Sequence, residues 1–163
     1  MVRLEPVTST NWREGLAVRA RRGQARFVAA YEPVLLVILA KTAVRVGGVD
    51  WWPFLLKDQT RAVGVVGVAD HRERHQALTI FHLLIDEHQQ RRGHGRAALQ
   101  LLLELSRRSE GCKSLLLTVN PENVGAITLY KSAGFEVTGT DADGELQMAK
   151  MVERDVRATE RSR

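Results

Sequence analysis

Residues 83–99 constrain the fold of this chain more than any other stretch. The stretch begins with apolar residues, passes through polar residues and two glycines, Gly93 and Gly95, and continues as a leucine-rich segment. Glycine permits a tight turn and a close backbone approach because it lacks a Cβ atom. A helix that begins at such a turn presents unpaired N–H groups and the positive end of its dipole, which suit phosphate oxygens. The pattern therefore predicts a strand, a diphosphate-binding turn and a helix.

The residues before the two glycines indicate which diphosphate is bound. A dinucleotide fingerprint needs three glycines, and here Ala98 stands at the third position, so the glycines alone leave that class open. The hexapeptide of residues 90–95, Gln-Arg-Arg-Gly-His-Gly, resembles the Q/R-x-x-G-x-G/A signature of the GNAT family of acetyl-CoA-dependent N-acetyltransferases. The alternative is a helix-opening turn whose basic residues face solvent.

A second segment supports the same resemblance. An apolar run over residues 115–119 stops at Asn120-Pro121, as expected at the end of a strand. Residues 123–135 then match the family pattern N-x-x-A-x-x-L-Y-x-x-x-G-F. Asn123 can cap the start of a helix, and Gly134 can take the left-handed conformation past its end. Two motifs in the family's order identify the chain as similar to GNAT proteins.

The resemblance implies an α/β (α+β) fold in one domain over residues 1–152. It implies a mixed, mostly antiparallel sheet of about six to seven strands, flanked by about four helices. The fourth and fifth strands are expected to splay apart and admit CoA between them. Residues 153–163 are polar and charged, and we expect this tail to be frayed.

The resemblance also implies that acetyl-CoA is the co-substrate and that the turn over residues 90–97 holds its diphosphate through backbone N–H groups. The fourth strand would pair with the pantetheine arm as an added strand would. The implied cofactor-binding residues are Leu83, Leu84, Ile85, Gln90, Arg91, Arg92, Gly93, His94, Gly95, Arg96, Ala97, Asn120, Asn123, Ala126 and Tyr130.

Two residues are predicted to be catalytic. Tyr130 occupies the family's position for a phenol near the CoA sulfur, which implies a general acid. His82, in the fourth predicted strand, titrates in a useful range and is the candidate base. A histidine in an apolar strand is also compatible with a hydrogen-bonded core position. Glu87 and His88 are weaker candidate bases, and proton loss through water is a further alternative.

The predicted reaction is direct transfer of an acetyl group to a primary amine of a small molecule, with a diamine or polyamine favoured. A polyamine needs carboxylates near its ammonium groups. The fourth strand has Phe81 and His82 where a carboxylate would serve, so an aminoglycoside-like antibiotic and a protein or peptide amine stay open. A scaffold that senses acyl-CoA without turnover and a basic nucleic-acid-binding module are the non-enzymatic alternatives.

Composition narrows the other classes. The formal net charge is +5, but the basic clusters are separated and interleaved with acids, so we expect no nucleic-acid partner. No run of about 18 apolar residues occurs, so we expect no membrane partner and a cytoplasmic location. Cys112 is the single cysteine, which favours packing over catalysis, and no spacing predicts a metal site. A homodimer is a possible assembly.

Local patterns predict further elements. Asn11 and Glu14 have the spacing of a capping box, which predicts an amphipathic helix to about Arg21. Further helical pieces are expected over residues 24–30 and 33–43. Residues 71–76 are expected to form a polar loop, and residues 141–144 the turn of a final hairpin.

Overall fold

A seven-stranded sheet forms the centre of this computed structural model, which describes residues 1–29 and 31–153. The strands are β1 Val2–Pro6, β2 Trp51–Asp58, β3 Arg61–His71, β4 Ala77–Ile85, β5 Ser114–Val119, β6 Glu136–Thr140 and β7 Leu146–Met151. Their order is β1-β2-β3-β4-β5-β7-β6. Every neighbouring pair is antiparallel except β4 with β5. The predicted fold class and strand number are confirmed.

Six α-helices connect these strands within the described residues, compared with about four expected. They are α1 Trp12–Gly15, α2 Ala25–Val28, α3 Val34–Val44, α4 Arg72–His75, α5 His94–Arg108 and α6 Val124–Ser132. Three of the six have only four residues each, and one of these, α4, replaces the expected polar loop. Residues 154–163 of the predicted tail, which was expected from residue 153, and the predicted helical residue Ala30 lie outside the described residues.

The predicted capping box does not form. The side chain of Asn11 accepts a hydrogen bond from the N–H of Thr8 at 2.7 Å and donates to Glu5 at 3.0 Å, so it faces back towards β1. The carboxylate of Glu14 instead pairs with Lys57 on β2. The helix ends at Gly15, well before the predicted Arg21.

Two hydrophobic layers cover the sheet. Helix α3 contributes Leu35 and Ile38 to one layer, where they pack with Leu55 on β2. Helix α5 contributes Leu99 and Leu102 to the opposite layer. Further members of this second layer are Leu115, Phe135 and the buried Cys112, while Ala126, Leu129 and Tyr130 of α6 pack against it. Helix α3 therefore packs on one face, and α5 and α6 pack on the other.

The sheet opens between β4 and β5. Their parallel pairing runs only from Ala77–Ser114 to Ile80–Leu117, although β4 continues to Ile85. Beyond Ile80 the main-chain edge of β4 that faces β5 is not paired with that strand. Helices α5 and α6 follow the carboxyl ends of these two strands. The predicted splay is confirmed, and it lies where ligands of open α/β sheets bind.

Strand β4 carries a bulge at this opening. Leu84 pairs with Val65 and Phe81 with Gly67, so His82 and Leu83 together face Val66. Because two residues of β4 face one residue of β3, the hydrogen-bond ladder is interrupted and the side chains change direction. His82 takes a φ of 54°, a left-handed conformation that costs a non-glycine residue about 1–2 kcal/mol. Such local strain is frequently found at functional sites.

Replacing Gly64 with alanine should reduce the free energy of unfolding by about 1–3 kcal/mol. A Cβ there would lie 2.5 Å from the carbonyl oxygen of Leu84 and 2.9 Å from the side chain of Leu56. The carbonyl is backbone, so β3 and β4 must separate. Denaturant unfolding would measure the change, with Gly125→Ala as the matched control because a Cβ there has no neighbour within 4 Å. Equal stability of the two variants would contradict the prediction.

Candidate functional site

Two adjoining cavities occupy the opening between β4 and β5. The outer cleft, of ≈ 530 Å³, lies between the end of β4, the turn before α5 and helix α6. The inner cavity, of ≈ 270 Å³, lies between β4, β5 and α6. Both are lined by Val28, Leu83, Asn123 and Ala126. The shared lining shows that the two cavities adjoin, and we call the two together the passage.

The turn before α5 has the backbone of an anion-binding site. Arg91 and Gly93 both have positive φ angles, of 65° and 82°, and Gly93 caps the fifteen-residue helix without a side-chain hydrogen bond. The first-turn N–H groups of residues 94–96 therefore point out of the helix. The prediction that the N–H of Ala97 binds the diphosphate is corrected by the structure. This N–H donates to the carbonyl of Gly93 at 3.0 Å and is not available to a ligand.

Side-chain hydrogen bonds hold this turn in place. The Gln90 amide donates to Gln24 at 2.9 Å and to the carbonyl of Ile85 at 3.1 Å. The buried carboxylate of Asp86 accepts backbone N–H groups from Arg19 and His88, each at 3.1 Å. Gln90 and Asp86 therefore position the turn.

A diphosphate fits the turn on two structural grounds. A Cβ at Gly93 would have no neighbour within 4 Å, so the space in front of the helix terminus is open. Arg91 and Arg96 line the outer cleft together with Arg21. None of these three forms an ion pair with another residue of the described ranges 1–29 and 31–153. The turn thus combines N–H donors, a helix dipole and uncompensated cations, all of which favour an anion.

Most predicted cofactor-binding residues line the passage. Those in the outer cleft are Leu83, Leu84, Ile85, Gln90, Arg91, Gly93, His94, Gly95, Arg96, Asn123 and Ala126. Arg92 and Asn120 line neither cavity, and the Asn120 side chain accepts the N–H of Glu122 at 2.9 Å. Asn123 caps α6 through the N–H of Ala126 at 3.3 Å, as its motif predicts.

Tyr130 lines the inner cavity from α6. Its ring centroid lies 6.0 Å from that of Phe135, and no other described residue forms a hydrogen bond with its hydroxyl. Burial raises the pKa of Tyr130 to about 12. The phenol therefore keeps its proton throughout the physiological range and is available as a donor.

His82 lines the same cavity, and its hydrogen bonds define its tautomer. Its Nδ1 lies 2.6 Å from the carbonyl oxygen of Val28, which can only accept. Its Nε2 lies 2.7 Å from Nζ of Lys41, a donor when protonated. The imidazole is therefore neutral with its proton on Nδ1. Burial, reinforced by Lys41, lowers the pKa of His82 against the opposing effect of the Val28 carbonyl.

Stability should respond to this lowered pKa. The unfolded chain binds a proton on His82 near pH 6.5 and the folded chain only at lower pH, so the free energy of unfolding should fall as the pH drops below about 6.5. His82→Asn, which tolerates the left-handed backbone, should show a shallower dependence between pH 7 and 5. Urea unfolding at several pH values measures both proteins, and the unchanged His71, whose pKa is also lowered, contributes equally to each. Identical slopes would contradict the prediction.

Lys41, which lines the inner cavity, was not among the site residues predicted from the sequence. This lysine projects from α3 into the inner cavity, where Nζ also lies 5.2 Å from the ring centroid of Trp51 and 5.6 Å from that of Phe81. Burial lowers the pKa of Lys41. Glu145, between β6 and β7, is the one carboxylate in the inner-cavity lining drawn from the described residues. Glu87 and His88, the weaker candidate bases, line neither cavity.

The comparison with models of protein families identifies the family of this chain. The model described as "Acetyltransferase (GNAT) family" matches residues 25–135, which include both motifs and the two splayed strands β4 and β5. The chain belongs to the GNAT acetyltransferase family. The seven-stranded sheet, in which β4 and β5 splay apart, therefore corresponds to the central sheet of the GNAT fold.

Individual relatives of this GNAT chain cover it in part. It is 29% identical to human N-acetyltransferase 8 over 104 residues, 62% of this chain and 44% of that protein. It is 45% identical to the bS18-alanine N-acetyltransferase of Escherichia coli K12 over 58 residues, 35% of this chain and 38% of that protein. The chain thus spans less than half the length of these relatives.

Solved GNAT structures share the whole fold. A spermidine N-acetyltransferase from Vibrio cholerae, solved with CoA and spermine, superposes with a TM-score of 0.72 at 17% identity. The superposition covers 93% of this chain and 95% of that one.

Within the described residues, no helix is long and apolar enough to cross a membrane, and no group of three or more His, Cys, Asp or Glu side chains is arranged to hold a metal ion.

Proposed function

We propose that this GNAT protein transfers the acetyl group of acetyl-CoA to a primary amine of a small molecule, directly within a ternary complex. One observation carries the proposal. The N-terminus of α5, which has no side-chain cap, faces a passage that ends in an inner cavity with a protonated phenol. An anion site at one end and a proton donor at the other are what a diphosphate-linked acyl donor requires.

The residues that would hold the co-substrate follow from this geometry. Acetyl-CoA would supply an acetyl group activated as a thioester. The N–H groups of His94, Gly95 and Arg96 would bind its diphosphate, with Arg91 and Arg21 adding charge. The main chain of Leu83 and the N–H of Ile85, neither paired with β5, would hold the extended arm as an added strand, whereas the carbonyl of Ile85 already accepts from Gln90. Asn123, on both cavities, would contact the arm further along.

Tyr130 would act at the departing sulfur. A thiol has an ordinary pKa of about 8.5, whereas the pKa of Tyr130 is about 12. Burial in the same cavity would raise the pKa of a thiol as well, so the comparison gives a direction only: complete proton transfer from phenol to thiolate runs uphill. Tyr130 would instead stabilise the developing thiolate by donating a hydrogen bond, an interaction that strengthens as negative charge develops.

His82 stays the proposed base, under one condition. The lone pair of Nε2 already accepts a hydrogen bond from Lys41 in this structure. An acceptor amine would have to displace Lys41 from Nε2 before His82 could take its proton. A water molecule is the alternative proton acceptor.

The similarity to polyamine acetyltransferases supports a diamine or polyamine as the acceptor, whereas the charge of the inner cavity opposes it. Several ammonium groups need several carboxylates, because unpaired charges are costly to desolvate. Among the described residues, the inner-cavity lining offers Glu145 as its one carboxylate and adds the cation Lys41. We therefore propose a small primary amine, with the polyamine as one candidate.

An acetyl-CoA turnover screen with polyamines, aminoglycosides, amino acids and peptides tests this function. Thiol release should accompany formation of an N-acetyl product identified by mass. Calorimetric binding of CoA without thiol release for any amine would favour the sensor alternative, and absence of CoA binding would refute the proposal. The cytoplasmic location, the homodimer and the absence of nucleic-acid and membrane partners stay predictions.

A further inference from the structure

Lys41 is a cation without an anionic partner in the described part of the chain. Its Nζ is partly buried and contacts an imidazole nitrogen and two aromatic rings, but no carboxylate of the described residues pairs with it. Lys57 provides the contrast within this chain, because its buried ammonium is paired with Glu14. A partly buried ammonium is stabilised by an anion. A ligand that enters the inner cavity can therefore supply the anion that Lys41 lacks among the described residues.

The ammonium also has donors to spare. It has three N–H groups, and the contact with His82 uses one of them. The hydrogen bond to His82 holds Nζ against the inner cavity, and α3 anchors its other end because Ile38, one turn earlier, is buried. A donor that is already oriented binds an oxyanion with less loss of side-chain freedom than a mobile surface lysine.

Size and charge of the inner cavity restrict the ligand. At ≈ 270 Å³ the inner cavity has about half the volume of the outer cleft, so it suits the reacting end of a small acceptor. Lys41 and Glu145 are the two oppositely charged side chains of the described lining, and His82 is neutral. The complement of one cation and one anion is a small molecule that carries both charges.

We propose that Lys41 binds a carboxylate of the acetyl acceptor, and that the acceptor is a small amino acid with its amine directed towards Tyr130. This inference rests on the proposed acetyltransferase function and adds the substrate class. Because Lys41 stays on Nε2 of His82 here, the proton of the amine would go to water, the alternative acceptor, and not to His82. Glu145 would attract the ammonium form of the acceptor at the same cavity. A polyamine meets the wrong charge at Lys41.

Matched acceptor pairs test the substrate class. Glycine, β-alanine and γ-aminobutyrate are each compared with their carboxamides, which keep the amine and lose the negative charge. The acid of the best pair should have a kcat/KM about ten- to a hundredfold above that of its amide, because a charge-assisted hydrogen bond is lost in the amide. Aminoethyl phosphate tests whether another anion serves, and spermidine tests the polycation. Preference for the amides or spermidine would overturn the inference, while their turnover would still support acetyl transfer.

Variants of Lys41 test the residue. Lys41→Met should bring the acid-to-amide ratio close to one by raising the KM of the acid, whereas Lys41→Arg should keep a ratio well above one. Lys113→Met is the matched control, because Lys113 is exposed and lines neither cavity. An unchanged ratio in Lys41→Met would refute the role of Lys41.

Equilibrium binding separates this inference from the proposed function. Calorimetry should detect binding of the preferred acid to the CoA complex, with an affinity about tenfold lower in Lys41→Met. Equal affinity for acid and amide in the wild-type protein would overturn the inference even where thiol release establishes acetyl transfer. Absence of CoA binding with retained acid binding would refute the acetyltransferase function and leave the Lys41 site standing.

Discussion

Replacing Gly93 with aspartate is expected to weaken CoA binding by about 30- to 150-fold. The new carboxylate would stand beside the N–H groups that we assign to the diphosphate. Two unit charges 4 Å apart repel by about 4 kcal/mol at an effective dielectric constant of 20. Because Gly93 is exposed, we reduce this to about 2–3 kcal/mol for solvent and salt screening, which corresponds to the stated fold-change. Calorimetric titration with CoA measures the effect.

Gly93→Asn separates the charge from the backbone. Asparagine has nearly the size of aspartate and tolerates a φ near 82° better than most residues. We expect it to lower CoA affinity only a few-fold, with thermal unfolding confirming that both variants fold. Equal weakening by Asp and Asn would show that the backbone conformation alone matters. Unchanged affinity in Gly93→Asp would remove the diphosphate from this turn.

The turn and the α6 motif were predictable from the sequence because their signals are local. Gly93 has a φ of 82° and Gly134 has a φ of 88°. Both angles lie in the left-handed region that favours glycine, so the residue type itself indicates the turn. Asn123 caps its helix through the N–H of a residue three positions later. Such interactions need only a few consecutive residues, so a short pattern contains all the partners.

The N-terminal region was predicted less well because its partners are distant in sequence. Glu14 has the spacing of a capping box, but Lys57, 43 residues away, takes its carboxylate. Gly15 is in close contact with α3 and β2, where a Cβ would lie 2.5 Å from Leu35 and 2.7 Å from Leu55. Tertiary packing here overrides the local helix signal, and a helix of one turn results.

The inner cavity shows the same limit at the functional site. The sequence singled out His82 as titratable, but its left-handed backbone depends on the bulge opposite Val66. Lys41 is 41 residues away from His82 and lies in an apolar helix that the sequence indicates only as a helical piece. No local pattern joins the two residues, so the structure was needed to find the pair.

Replacing Tyr130 with phenylalanine is expected to lower kcat by about 100-fold and to leave CoA affinity nearly unchanged. The variant keeps the ring that packs 6.0 Å from Phe135 and removes only the hydroxyl. Loss of one hydrogen-bond donor to a developing anion typically costs about 10²–10³ in rate. Tyr31→Phe is the matched control, because Tyr31 is exposed and outside both cavities. Steady-state thiol release and CoA calorimetry on both variants measure the two quantities.

The pH profile distinguishes hydrogen-bond donation by Tyr130 from a titrating acid. With a pKa of about 12, the phenol stays protonated up to about pH 11, so Tyr130 should cause no loss of kcat between pH 7 and 10. A phenol of ordinary pKa, about 10, would already be half ionised at pH 10. A fall in wild-type kcat centred below pH 10, absent from Tyr130→Phe, would contradict a hydroxyl kept protonated by burial. Full kcat in Tyr130→Phe at every pH would instead reduce Tyr130 to a packing residue of α6, and the thiolate would need another donor from the same cavity.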